Sequence, residues 1–119
     1  MPLFVELLEF TAVIPDYFGS DEEYSKLQNF LADNPLTGAT IQQTGGIRKM
    51  RWADPRRGKG KRSGLRVLYL YLPEYELFLM IDVYDKDEQD DLSPSQRKRL
   101  AELVSTYRTA LERRAKNRE

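Results

Sequence analysis

The sequence predicts an α+β fold, a mostly antiparallel twisted sheet with helices packed on one face. Two neighbouring segments, residues 65–72 (LRVLYLYL) and 76–84 (ELFLMIDVY), have the apolar, β-branched and aromatic density of central strands. Two other segments carry a helix-capping signature followed by an apolar stripe at helical spacing. At 119 residues, 40% hydrophobic and 32% charged, the chain suits one domain, residues 1–119, with a modest core.

Taken in order, residues 3–10 read as a first strand, with a short helix as the alternative, because Leu3, Phe4, Val5, Leu7, Leu8 and Phe10 form an apolar run. Asp16-Tyr17-Phe18-Gly19 reads as a turn. Ser20 then caps a helix over roughly 21–33, with acidic Asp21, Glu22 and Glu23 on the positive end of its dipole. Tyr24, Leu27, Phe30 and Leu31 supply its stripe, and Asn34-Pro35 ends it. Residues 36–46 form a polar connection. Residues 47–53 form a strand in which Ile47, Met50 and Trp52 are interspersed with Arg48, Lys49 and Arg51. Pro73-Glu74-Tyr75 is short enough to join the two central strands as a hairpin. Ser93, with Pro94 at the first helical position and Gln96 at the third, opens a last helix over 94–116. Leu100, Leu103, Val104, Tyr107 and Leu111 give that helix one apolar face, and residues 113–119 are expected to fray.

Composition removes several chemistries. Without cysteine or histidine the chain has no disulfide, no thiolate nucleophile and no imidazole for zinc or proton transfer. Catalysis near neutral pH would fall to Lys, Arg, Tyr, Asp or Glu, and no cofactor or metal is expected. MPLFVELLEF lacks a basic leader, and Glu6 and Glu9 break its apolar run, so it is a poor signal peptide. The apolar runs 67–72 and 77–81 are too short to span a bilayer. The expectation is a cytoplasmic protein with no membrane partner.

The net charge of zero conceals blocks. Residues 1–46 carry a net −6, residues 47–66 a net +8, residues 67–91 a net −7 and residues 92–119 a net +5. Nine cations within twenty residues suit a polyanion. A solvated segment beside compensating acidic neighbours is the equal alternative.

The elements that carry more specific information are Thr44-Gly45-Gly46-Ile47-Arg48-Lys49, Gly60-Lys61-Arg62, Arg66-Val67-Leu68-Tyr69, and Tyr84-Asp85-Lys86 with Asp91-Leu92-Ser93. In this order and spacing they resemble the RelE superfamily, specifically the HigB-like branch of toxins from bacterial toxin–antitoxin pairs. The resemblance implies a RelE-like domain acting as a metal-independent endoribonuclease, an mRNA interferase working on the ribosome. It implies as partners messenger RNA, the ribosome and a cognate antitoxin, a helix-turn-helix protein, with the toxin alone monomeric.

Cleavage by the RNA's own 2′-hydroxyl needs a base, cations for the charge at phosphorus, and an acid for the leaving 5′-oxygen. By resemblance Arg66 stabilises the transition state, Lys61 and Arg62 serve as phosphate or acid/base groups, Lys86 is a second acid/base candidate, and Tyr84 stacks on a base or supports the site. Arg48, Lys49, Arg51, Arg56, Arg57 and Lys59 are the RNA-backbone candidates. Read without the family, Arg66 is an edge residue that snorkels or pairs, Tyr69 and Tyr71 are core, and Tyr84 divides evenly between core and site. Gly58 and Gly60 lack phosphate-loop spacing. The acidic run Asp85–Asp91 reads as a solvated loop or an antitoxin contact. The chain departs from the family at Ser63, where relatives often have glycine, and at Asp85 and Asp87, which flank Lys86. Carboxylates there favour charged lysine, suiting a general acid better than a base. The alternatives are a reduced-activity member of the family or a non-catalytic nucleic-acid-binding module.

Overall fold

The computed structural model describes residues 1–56, 64–86 and 91–118. Its contacts divide the chain into two units, residues 1–40 with 47–90 and residues 41–46 with 91–119. The larger unit runs β1 (Leu3–Glu6), α1 (Leu8–Phe18), α2 (Asp21–Asp33), β2 (Ala39–Thr40), β3 (Arg48–Trp52), β4 (Leu65–Leu72), a 3-10 turn (Pro73–Tyr75) and β5 (Leu77–Asp85). The sheet order is β1-β5-β4-β3-β2, antiparallel except for the parallel pair β1 and β5. The apolar segments β4 and β5 therefore lie inside the sheet and are buried along almost their whole length, as their composition predicts.

The amino-terminal reading needs correction. The strand stops at Glu6; Leu7 donates its N–H to the Met80 carbonyl (3.0 Å), and α1 follows at once. The segment read as a turn is the last turn of α1, closed by Gly19 in the left-handed region (φ 74°). What holds this helix is a stripe at i, i+3, i+4, i+7 and i+8: Phe10 and Phe18 are buried, and Val13, Ile14 and Tyr17 pack against the same core. Packing outweighs Pro15, which sits inside the helix and cannot donate a backbone hydrogen bond. α2 follows the predicted pattern: the Ser20 hydroxyl accepts from the Glu23 amide at 3.3 Å, and Tyr24, Leu27 and Leu31 are buried.

One face of the sheet meets α1 and α2. There Met50, Leu65, Val67, Tyr69, Phe78, Met80 and Val83 join Phe10, Phe18, Tyr24, Leu27 and Leu31 in one core. Tyr69 is fully buried yet satisfied, its hydroxyl donating to the Pro35 carbonyl (2.8 Å) and accepting from the Gly38 amide (3.1 Å). β2 arises at this point. A side chain at Gly38 would lie 2.9 Å from the Lys49 carbonyl oxygen, so only glycine lets the polar connection approach β3 this closely.

Between Leu68 and Tyr69 the β4–β5 register shifts by one, with Leu68 opposite Asp82 and Tyr69 opposite Met80, which leaves Ile81 as a bulge. The bulge reverses the alternation of β5. Phe78 and Met80 face the α1/α2 core, as does Val83, while Tyr84 turns to the opposite face.

In the smaller unit, α3 (Pro94–Asn117) carries the predicted capping box: Ser93 accepts from the Gln96 amide (3.2 Å) and its own amide donates to the Gln96 side chain (2.8 Å). Residues 113–117, expected to fray, continue the helix as an exposed tail. Gly45 (φ 80°) lies against Val104, and its carbonyl accepts from Arg108 at 3.4 Å. Among the described residues, no helix is long and apolar enough to cross a membrane.

Candidate functional site

The registers place three predicted site residues in one cross-strand row. Arg51 on β3 lies opposite Arg66 on β4, and Arg66 lies opposite Tyr84 on β5. Directly opposed residues share a face, so all three project away from the α1/α2 core. Arg51 is exposed, whereas Arg66 is only 6% exposed and Tyr84 only 4%. The Arg66 guanidinium donates to the Leu65 carbonyl at 3.3 Å. The next row on the same face is Lys49, Leu68 and Asp82.

The opposition of Arg51 and Arg66 is chemically telling. Like charges directly across a strand pair repel, and a buried guanidinium is costly to desolvate. Two cations on one face of the sheet raise the local positive potential. An arginine fork fits a phosphate in particular, because it can donate two parallel hydrogen bonds.

Lys86, exposed, follows β5 at the same end of the sheet, and its amide donates to the Gly64 carbonyl (3.4 Å), two residues before Arg66. Lys61, Arg62, Arg57 and Lys59 lie outside the described residues, as do Ser63 and Asp87. Arg48 does not join the row. It sits opposite Tyr69 on the α1/α2 face, where its guanidinium donates to the carbonyls of Gly38 (2.6 Å) and Leu36 (3.3 Å).

Arg56 is also engaged elsewhere. Its guanidinium donates to both oxygens of Asp54 (Nη2–Oδ2 2.8 Å, Nε–Oδ1 3.0 Å) and to Asp85 (3.3 Å), and lies 4.8 Å from the centre of the Tyr17 ring. Both carboxylates are almost fully buried. The hydrogen bond that Arg56 donates to Asp54 is the main cause that raises its pKa further, so this cation is permanent. Asp85 thus turns its carboxylate to the core face, opposite Leu65 and away from the Arg66 row. Sequence reasoning missed this cluster. The local half was legible, since Asp54-Pro55-Arg56 is a turn signature and the Arg56 amide does bond to Asp54 Oδ1 (2.9 Å). The link to Asp85, 29 residues away, was not.

On the Lys49 row, burial raises the Asp82 pKa, opposed by a bond from the Val83 amide (2.9 Å) and reinforced by nearby Glu9. On the other face and at the other end of the sheet, Met1, Pro2, Ala32, Tyr71, Glu76 and Phe78 line an open pocket of about 200 Å³. It is lined by no lysine or arginine and is remote from the arginine row.

No protein-family model matches the chain. Among solved structures it is similar to the isolated E. coli RelE toxin, with a TM-score of 0.53 and 14% sequence identity, over 95% of this chain and 98% of that one. At that identity the likeness is one of architecture: the chain has a RelE-like α+β fold.

Proposed function

We propose that the protein is the toxin of a bacterial toxin–antitoxin pair, of the HigB-like branch, and cleaves messenger RNA on the ribosome. The observation that carries this reading is the Arg51–Arg66–Tyr84 row, two opposed cations beside an aromatic side chain on the sheet face away from the α1/α2 core. In the proposed reaction the 2′-hydroxyl attacks the adjacent phosphate, with no metal taking part. Arg66 meets the growing charge at phosphorus without changing its protonation state. Arg51 and Lys49 hold the RNA backbone, and Tyr84 stacks on a base or braces Arg66. Lys86 supplies a proton transfer, and Lys61 and Arg62 serve as phosphate or acid/base groups, the permanently charged Arg62 suiting the phosphate.

The resemblance quoted from the sequence and the RelE-like fold both support this reading. The toxin would be a cytoplasmic monomer held inactive by a cognate antitoxin, a helix-turn-helix protein. The test is induced expression followed by mapping of RNA ends. Growth arrest with mRNA cuts that require translation is expected. Intact mRNA during arrested growth, or no arrest, would refute it.

A further inference from the structure

Arg56 ties together three places that are far apart in sequence. It lies just beyond β3, where it grips Asp54 with a near-bidentate fork. It reaches Asp85, the last residue of β5. It also meets the carboxyl end of α1, donating to the Asp16 carbonyl (3.4 Å) with its guanidinium over Tyr17. α1 has no basic residue of its own in its last turn, so Arg56 supplies the cation its dipole favours there.

The surroundings are equally close. A side chain at Gly64 would come within 2.3 Å of the Trp52 carbonyl oxygen and 3.1 Å of the Asp54 nitrogen, so β4 begins in tight apposition to the end of β3. Asp85 is the residue between Tyr84 and Lys86, in the row Trp52–Leu65–Asp85 beside the row of Arg51, Arg66 and Tyr84. Anchoring its carboxylate on the core face fixes the backbone that carries both neighbours. Two fully buried carboxylates persist only with a well-placed partner, and a partially exposed arginine serving both is a strong geometric constraint.

We propose that Arg56, clamped by Asp54 and Asp85, is a positioning residue that sets Tyr84 and Lys86 relative to Arg66, and is not a contact to RNA. This rests on the proposed ribonuclease reading, which it deepens. It reverses a sign that charge alone would set. Neutralising Asp85 removes a negative charge near a polyanion site, so simple electrostatics predicts tighter RNA binding and no loss of rate. The clamp predicts a slower reaction.

The test compares Arg56→Gln, Arg56→Lys and Asp85→Asn with the parent protein. Three quantities are measured: mRNA cleavage rate in a translating extract, affinity for a single-stranded RNA oligonucleotide across salt concentrations, and hydrogen exchange at the Lys86 amide. Cleavage is expected to fall about tenfold to a hundredfold in all three variants, as for a small misplacement of reacting groups. RNA affinity and its salt dependence should stay unchanged, and Lys86 exchange should accelerate. Lysine should not rescue the rate, since a point charge cannot grip two carboxylates. Weaker, less salt-dependent RNA binding with a normal rate once bound would overturn the proposal. If the parent protein cleaves no RNA, the ribonuclease reading fails by itself. Exchange then decides the clamp: faster exchange at Lys86 supports it and unchanged exchange overturns it.

Discussion

Arg51 and Arg66 stand directly opposite each other on adjacent antiparallel strands, one exposed and one almost fully buried. Like charges placed directly across a strand pair repel one another. Arg51→Gln should therefore raise stability at low salt by about 0.2–1 kcal/mol, the size of a cross-strand pair effect. Low millimolar sulfate should stabilise the parent protein more than the variant. Thermal melts with and without sulfate would show both effects, and a variant less stable than the parent in low salt would argue against repulsion.

Lys49 and Arg48 are sequence neighbours that face opposite ways, which separates the proposed RNA contact, Lys49, from a structural arginine. Lys49→Ala should weaken RNA binding and lower the salt slope by about 1, as for one lost phosphate contact. Arg48→Ala should leave RNA affinity intact and instead reduce stability by about 1.5–3 kcal/mol, through its bonds to Gly38 and Leu36. Binding titrations at several salt concentrations, paired with urea denaturation, distinguish the two. Equal losses of affinity would mean that the sheet face has been misassigned.

Asp82 offers a pH test independent of RNA. Burial raises its folded pKa above the ordinary 3.8, so the unfolded chain ionises more readily. The favourable contribution of the protonated carboxyl is fully present below the unfolded pKa and is lost as pH rises through the folded pKa. Asp82→Asn keeps an oxygen for the Val83 amide and removes the charge. The variant should be more stable than the parent at pH 7, and the advantage should vanish below about pH 4. Urea denaturation from pH 3 to pH 7 measures it, and an advantage that grows toward acid would contradict the sign.

β3, β4, β5 and the capped helices were legible because each carries its own local signal. Ser20 and Ser93 name their helix starts, and the density of β4 and β5 marks them as interior strands. α1 was harder: its stripe of Phe10, Val13, Ile14, Tyr17 and Phe18 is helical, but it abuts the apolar run of β1 and contains Pro15. β2 has two exposed residues and no pattern, and exists because Gly38 lets the chain approach β3. Strict alternation separates Arg48 from Lys49 and Arg51, a distinction that grouping basic residues together hides. The orientation of Tyr84 could not be read from alternation at all. It depends on the Ile81 bulge, a property of strand pairing that no single strand records.

The proposed action of Arg66 on the scissile phosphate is tested by Arg66→Ala. In protein confirmed as folded by circular dichroism, the rate of mRNA cleavage in a translating extract should fall about a hundred- to a thousandfold, the usual effect of removing one preorganised donor. Arg66→Lys should recover little of that loss, because an ammonium does not reproduce the guanidinium fork. A folded Arg66→Ala protein that cleaves mRNA at the parental rate would contradict the assignment of the site.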